Sequence, residues 1–119
     1  MPTKPVDTNT AEHYTWGQDC DGWHLVRTPE LSIIEEQMPP GASEVRHYHV
    51  RARQFFYVLE GELQMEIDGD SHRLCAGKGI EVTPGQTHQA ANRSVSPVRF
   101  LVTSQPPSHD DRIPKPLTC

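Results

Sequence analysis

The feature that most constrains the fold of this chain is the alternation of apolar and polar side chains, in short segments separated by glycine and proline. The alternation is clearest over residues 61–68, where every second residue is apolar. Successive side chains of a β-strand point to opposite faces, so this segment predicts a strand with one apolar and one polar face. An Asp68-Gly69 turn follows, and residues 71–75 are expected to return as the partner strand.

Short segments of this kind recur along the chain, about 8 to 12 residues apart, and no segment shows a convincing 3.6-residue apolar stripe. About nine short strands separated by turns predict an all-β fold, a single-domain antiparallel sandwich or jelly-roll barrel. The remaining predicted strands cover residues 23–28, 31–38, 45–49, 54–59, 80–83, 88–92 and 98–103.

The two ends of the chain differ from its middle. Residues 1–12 are polar and contain proline, and residues 105–119 carry four of the eleven prolines. Proline excludes a regular helix and an interior strand from such a tail. We therefore predict a loose N-terminal segment over residues 1–12, a barrel over residues 13–104 and a proline-rich tail. The tail could wrap its own barrel, wrap a neighbour, or be disordered.

Charge and hydropathy exclude several classes of partner. The chain has 119 residues, with 11 Lys and Arg against 16 Asp and Glu, and a net charge of −5 at pH 7. The basic residues are scattered among acids, which argues against nucleic acid as a partner. A membrane-spanning helix needs about 20 apolar residues, and the longest apolar runs are far shorter. Because the N-terminus also lacks the apolar segment of a secretory signal, we expect a cytoplasmic protein.

The cysteines give no sign of a disulfide framework. Cys20, Cys75 and Cys119 are odd in number and widely spaced, without a CxxC pair. Reduced, structurally ordinary thiols are the expected state. The alternative is a reactive cysteine with a nearby histidine, such as Cys75 with His72.

Histidine is the residue type that points most directly to chemistry. His47 and His49 lie two residues apart, and on a strand this spacing projects both side chains from the same face. His88 supplies a third imidazole, and Gln54 begins the next predicted strand, from which its side chain could reach the pair. Three neutral imidazoles and an amide oxygen suit one divalent transition metal, either Zn, Ni, Fe, Mn or Cu.

The glycines around these residues have a family-like spacing. The first segment is Gly41-x5-His47-x-His49-x4-Gln54-x6-Gly61, and the second is Gly77-x5-Thr83-Pro84-Gly85-x2-His88-x3-Asn92. Together they resemble, in order, both motifs of the cupin superfamily in its small single-domain form. The resemblance implies an RmlC-like jelly-roll barrel, also called a double-stranded β-helix, and it implies that His47, His49, Gln54 and His88 are the metal ligands. It also implies a homodimer, because family members of this size usually pair, and the apolar outer face of the strands suits dimerisation.

Two residues depart from the family pattern. Thr83 stands where the family usually has Pro, but Pro84 and Gly85 still supply the turn before His88. Gln54 stands where the family usually has Glu. A neutral side chain there leaves a bound metal with its full charge, which favours Lewis acidity over stabilisation of a high-valent metal. The alternative is a cupin that has lost its metal and keeps Gln54 as polar filler.

These residues predict a small metalloenzyme of isomerase, lyase or hydration type, acting on a small oxygen-rich anionic substrate such as a sugar acid or keto acid. A similar group of small cupins linearises unsaturated uronic acid sugars, but the segment 97–104 lacks the carboxylate which that group uses. The alternatives are an Fe(II) dioxygenase-type cupin and a non-catalytic module that binds a sugar or small metabolite.

Four residues are candidates for catalysis beside the metal. Glu35 and Glu36 lie on an early strand, so alternation turns one of them inward, where it could transfer a proton. Tyr57 could donate to a substrate oxygen, although core or dimer packing is the alternative. Arg99 could bind a substrate carboxylate.

Overall fold

The prediction of an all-β fold is confirmed. The structure is a computed structural model that describes residues 3–117. Those residues form eleven strands and no helix. None of them therefore belongs to a helix that could cross a membrane. The strands are β1 (Glu12–Trp16), β2 (Cys20–Arg27), β3 (Ser32–Met38), β4 (His47–His49), β5 (Arg53–Glu60), β6 (Glu62–Ile67), β7 (Asp70–Cys75), β8 (Gly79–Val82), β9 (His88–Ala91), β10 (Val98–Gln105) and β11 (Arg112–Pro114).

The strands form two antiparallel sheets that enclose one core. The six-stranded sheet has the order β1-β2-β3-β10-β5-β8, and the five-stranded sheet has the order β11-β4-β9-β6-β7. Met38, Phe56 and Phe100 of the first sheet belong to the same buried cluster as Leu63 and Met65 of the second. Burial alternates along each inner strand, so one face of each sheet lines the interior and the other faces outward.

Strand β6 shows how the apolar pattern sets the register of its neighbour. Leu63, Met65 and Ile67 are buried, as the alternation predicts. Ile67 lies opposite His88 and Met65 lies opposite Ala90 on β9. Side chains opposite each other in a sheet share a face, so the same pairing that buries the apolar face of β6 turns His88 into the interior.

The chain forms one strand at each end that the sequence pattern did not indicate. Strand β1 pairs with β2 and β11 pairs with β4, and both are edge strands of their sheets. Proline is tolerated on an edge strand, which explains how the proline-rich tail forms β11 at Arg112–Pro114. The tail therefore wraps its own barrel.

The two cysteines that the structure describes lie in different environments. Cys20 is fully buried, Cys75 is exposed on β7, and neither forms a disulfide within residues 3–117. Burial raises the pKa of the Cys20 thiol to about 11, so this side chain is an unreactive part of the core. Cys119 lies outside the described residues.

Candidate metal centre

The structure brings together the three histidines that the sequence singled out. His47 on β4 lies opposite His88 on β9, and His49 follows two residues later on the same face of β4. All three side chains are buried. One nitrogen atom of each ring lies within 4.8 Å of the corresponding atoms of the other two. Three imidazoles at this separation could bind one metal ion.

Hydrogen bonds to the backbone fix the proton on each imidazole ring. The Nδ1 atom of each histidine lies near a main-chain carbonyl oxygen, which can only accept a hydrogen bond. Each Nδ1 therefore carries the proton, and each Nε2 keeps its lone pair. The three Nδ1-to-oxygen pairs are His47 to Val45 at 2.6 Å, His88 to Gln86 at 3.0 Å and His49 to Asp111 at 3.2 Å.

Burial keeps these imidazoles neutral at pH 7. It lowers the pKa of His47 to about 3 and that of His88 to about 4, and it also lowers the pKa of His49. A histidine must be neutral to bind a metal ion, because the proton and the ion compete for the same lone pair. The three side chains are therefore in the form that binds a metal.

Gln54 adds an oxygen atom with no partner. Its Nε2 donates to Ser104 Oγ at 3.0 Å and lies 3.5 Å from Ser108 Oγ. Gln54 Oε1 is buried and accepts no hydrogen bond from the residues that the structure describes, and the Nε2 atoms of His49 and His88 are in the same state. Buried polar atoms without partners are costly. A divalent metal would satisfy all three, so these residues fit such an ion.

A cavity of about 190 Å³ opens onto these side chains. Its walls include His47, His49 and Gln54, together with further polar residues that come from β1, β3, the segment before β4, β10 and the tail. A small molecule in this cavity would lie against the proposed ligands. The other polar residues in the wall are Tyr14, Glu36, Glu44, Ser104, Ser108, His109 and Arg112.

Glu36 is the catalytic candidate that reaches the cavity. Tyr14 donates a hydrogen bond from its hydroxyl to Glu36 Oε2 at 3.0 Å. Gly22 lies between them in the sheet, opposite Tyr14 on one side and Glu36 on the other, so the tyrosine ring crosses a position that has no side chain. Burial raises the pKa of Glu36 to about 7. A carboxyl with this pKa can both release and accept a proton near neutral pH.

Sequence reasoning missed Glu44 and Arg112. Glu44 Oε1 accepts a hydrogen bond from the Ala90 backbone at 2.9 Å, and burial raises the pKa of this carboxyl to about 8, so it is mostly protonated at pH 7. Arg112 donates to the Val45 carbonyl oxygen at 3.3 Å and forms no ion pair within residues 3–117. Neither residue belongs to a motif, and their position in the wall depends on strand pairing between distant segments.

Glu35, Tyr57 and Arg99 do not reach the cavity, which corrects their expected place in the site. Strand alternation puts all three on the outer face of the six-stranded sheet, away from the histidines. There, Arg99 Nε lies 3.5 Å from Glu35 Oε2, and its guanidinium lies 5.2 Å from the centre of the Trp23 ring. Tyr57 stacks beside Phe55 at a ring distance of 6.3 Å. These positions suit packing on the outer face.

Comparison with known sequences agrees with this architecture. Residues 34–104 match the family model Cupin_2, described as a cupin domain. The chain is 33% identical over 70 residues to the tetracenomycin polyketide synthase protein TcmJ of Streptomyces glaucescens, a match that covers 59% of this chain and 47% of that protein. The chain therefore spans about half the length of this relative. It is also 31% identical over 89 residues to an uncharacterized protein of Methanocaldococcus jannaschii, covering 74% of this chain and 71% of that one.

A solved structure has the same fold. The chain is similar to an RmlC-like cupin from Shewanella frigidimarina, with a TM-score of 0.80 and 27% sequence identity. The similarity covers 88% of this chain and 92% of the other. The fold of the described residues is therefore shared with a protein of known crystal structure.

Proposed function

This chain belongs to the Cupin_2 family of cupin domains, and from that premise we propose that it binds one divalent metal ion through the Nε2 atoms of His47, His49 and His88 and the Oε1 atom of Gln54. The observation that carries the proposal is the set of buried atoms with lone pairs and no partner at His49, His88 and Gln54. Imidazole and amide ligands accommodate Zn, Ni, Fe, Mn or Cu, so the metal that is bound also depends on supply.

The chemistry that fits this ligand set is Lewis acid catalysis. A divalent ion held by four neutral ligands keeps its full charge and would polarise a carbonyl or hydroxyl oxygen of a substrate. The proposed reaction is an isomerisation, an elimination of lyase type or a hydration. Each of these reactions needs a group that moves a proton, and the cavity wall supplies one.

Glu36 is the residue proposed to move that proton. Its carboxyl lines the cavity and has a pKa of about 7, so it is available in both protonation states. The Tyr14 hydroxyl holds Glu36 Oε2, which leaves Oε1 for a substrate. Burial raises the pKa of Tyr14, so the phenol keeps its proton and stays a donor to the carboxylate.

The charges around the cavity favour a small anionic substrate that is rich in oxygen, such as a sugar acid or keto acid. Within residues 3–117, Arg112 is the one Lys or Arg side chain in the cavity wall. Glu44 is mostly protonated at pH 7, so it would donate a hydrogen bond to a substrate oxygen rather than repel an anion. Arg112 is therefore proposed to bind the substrate carboxylate, which is the role that the sequence had suggested for Arg99.

The experiment that tests metal binding is elemental analysis of the untagged protein. We expect close to one equivalent of a divalent metal in the wild type and a loss of most of it in His47→Ala/His49→Ala. The matched control is His72→Ala, which removes an exposed histidine on β7 and should keep the metal. Wild-type protein that is free of metal and cannot be loaded with Zn, Ni, Mn or Fe(II) would rule the proposal out.

A substrate screen then separates the classes of function. Sugar acids, keto acids and catechols are incubated with the metal-loaded protein, and Glu36→Gln is compared with the wild type. Turnover that is lost in Glu36→Gln while the metal is retained supports the proposed enzyme. Oxygen consumption with a catechol identifies a dioxygenase instead. Saturable binding without turnover identifies a module that binds a sugar or small metabolite.

We also propose that the chain forms a homodimer through the outer face of the six-stranded sheet. Phe55, Tyr57 and Leu59 are adjacent outward positions on β5 and are 45%, 37% and 42% exposed. A contiguous apolar patch of this kind is typical of an interaction surface. The cytoplasmic location and the absence of nucleic acid and membrane partners stay predictions from the sequence.

A further inference from the structure

We propose that Asp111, in the C-terminal segment, is a positioning residue of the metal centre, which anchors the turn between His49 and Gln54 and holds the carbonyl group that orients the His49 imidazole. This inference rests on the proposed function. It concerns a residue outside both cupin-like motifs, 62 positions along the chain from His49.

The Asp111 carboxylate contacts the main chain of the turn between β4 and β5. Asp111 Oδ1 accepts a hydrogen bond from the Val50 N–H at 3.0 Å, and Oδ2 accepts from the N–H groups of Arg51 and Ala52 at 2.7 and 2.8 Å. These three consecutive residues connect β4 to β5. The turn therefore carries a proposed ligand on each side, with His49 immediately before it and Gln54 two residues after it.

The main chain of Asp111 contacts the His49 ring. The carbonyl oxygen of Asp111 accepts the hydrogen bond from His49 Nδ1 at 3.2 Å. This bond leaves Nε2 of His49 unprotonated, and a metal-binding histidine needs such a partner to fix its tautomer and its ring. Any residue at position 111 has a carbonyl oxygen. The carboxylate is what fixes that carbonyl in place, because its three charge-assisted hydrogen bonds tie the tail to the turn.

Asp111 lies in the tail between two further contacts with the proposed ligands. The residues that follow it form β11, in which Arg112 lies opposite His49 and Pro114 lies opposite His47. Ser108, three residues before it, lies 3.5 Å from Gln54 Nε2 through its hydroxyl. Loss of the carboxylate would release the tail at the point between these two contacts. We expect His49 and Gln54 to lose order together, whereas His88 on β9 keeps its own hydrogen bond to Gln86.

Zinc titration of the full chain tests the inference. Metal is removed with a chelator, and the zinc affinity is measured by competition with a chromophoric chelator for the wild type, Asp111→Ala, Asp111→Asn and Asp110→Asn. Removal of a group that orients a metal ligand lowers affinity about 10- to 100-fold. We expect this loss in Asp111→Ala and a smaller loss in Asp111→Asn, which keeps one acceptor oxygen. Asp110→Asn removes a neighbouring exposed acid with no hydrogen bond within residues 3–117 and should change the affinity less than about twofold.

A second measurement separates positioning from a general effect on folding and from failure of the proposed function. Imidazole ¹⁵N chemical shifts in the metal-free protein report which nitrogen of His49 carries the proton. We expect the Nδ1–H form in the wild type and a mixture of tautomers in Asp111→Ala, with His88 unchanged in both. If Asp111→Ala does not fold, Asp111→Asn gives the same readout.

The outcomes are distinguishable. Wild-type zinc affinity together with an unchanged His49 tautomer in the Asp111 variants would overturn the inference and leave the proposed metal site intact. A wild type that binds no metal would overturn the proposed function, and the His49 tautomer would still decide whether Asp111 orients this ring.

Discussion

Glu44 places a carboxyl group inside the barrel with a main-chain N–H as its hydrogen-bond donor and no cation paired with it within residues 3–117. Burial raises its pKa from 4.5 to about 8. Below pH 4.5 the folded and unfolded states are both protonated. Between pH 4.5 and 8 the unfolded chain releases the proton and the folded chain keeps it, so the free energy of unfolding falls as the pH rises.

Glu44→Gln should remove this pH-dependent loss of stability. Glutamine has the shape of the protonated acid and keeps the oxygen that accepts a hydrogen bond from the Ala90 N–H. We expect the variant to match the wild type closely at pH 4.5 and to have a thermal midpoint about 10 °C or more higher at pH 8. Thermal unfolding of metal-free protein at the two pH values is the measurement. Glu60→Gln, on an exposed glutamate, is the control that should show no such difference. A pH-independent effect of Glu44→Gln would contradict the stated cause.

Individual site residues were predictable from the sequence only where they belong to a short local pattern. The spacing of two between His47 and His49 places both on one face of a strand whatever the rest of the fold is, and the motif around His88 adds the third imidazole. Glu44 reaches the cavity through hydrogen bonds to Ala90, 46 residues along the chain, and Tyr14 reaches Glu36 across Gly22, which the sequence does not mark as a position for an aromatic ring. Asp111 acts through a contact over 62 residues, which no local periodicity reveals.

At the scale of the strands, the row formed by Tyr14, Gly22 and Glu36 is the most demanding arrangement around the site. A Cβ atom on Gly22 would overlap the Tyr14 ring, which lies across the glycine. The backbone conformation of Gly22 is not the reason for the glycine, because its φ is not in the left-handed region. The missing side chain is what lets β1 contribute a hydroxyl to a carboxyl on β3.

Gly22→Ala should destabilise the protein by about 1–3 kcal/mol, the usual cost of an added methyl group in a packed site. In a Tyr14→Ala background the same substitution should cost much less, because the ring that it would overlap is gone. Urea unfolding of the two single variants, the double variant and the wild type gives this double-mutant cycle. An equal cost of Gly22→Ala in both backgrounds would show that the ring is not what requires the glycine.

The strands divide in the same way between those that were predictable and those that were not. Strand β6 has a buried face and a partly exposed face, so its alternation is visible in the sequence. Strand β1 has no fully buried residue, and β11 has three exposed residues with a proline. Each pairs with one neighbour only, and although Trp16 of β1 packs against the edge of the core, neither strand has an alternating apolar face.

For the whole molecule, the proposed homodimer makes a separate prediction. Tyr57→Ser/Leu59→Lys should shift the protein from dimer to monomer in sedimentation velocity experiments, because a lysine in the apolar patch would have to lose its hydration. The metal content should not change, since these side chains face away from the cavity. His72→Lys, on an exposed position of the other sheet, should leave the dimer intact. A wild type that sediments as a monomer at about 100 µM would end this proposal.

The wrapping of the tail around its own barrel bears on the order of events during synthesis. All four proposed ligands have been translated by residue 88, and the last strand of the six-stranded sheet is complete at Gln105. Asp111 comes only afterwards, and translation adds about 5–20 residues per second. A nascent chain that has just finished β10 would therefore have its histidines without the group that fixes one of them. If Asp111 has the proposed role, tight capture of a metal ion would wait until the tail has paired with β4.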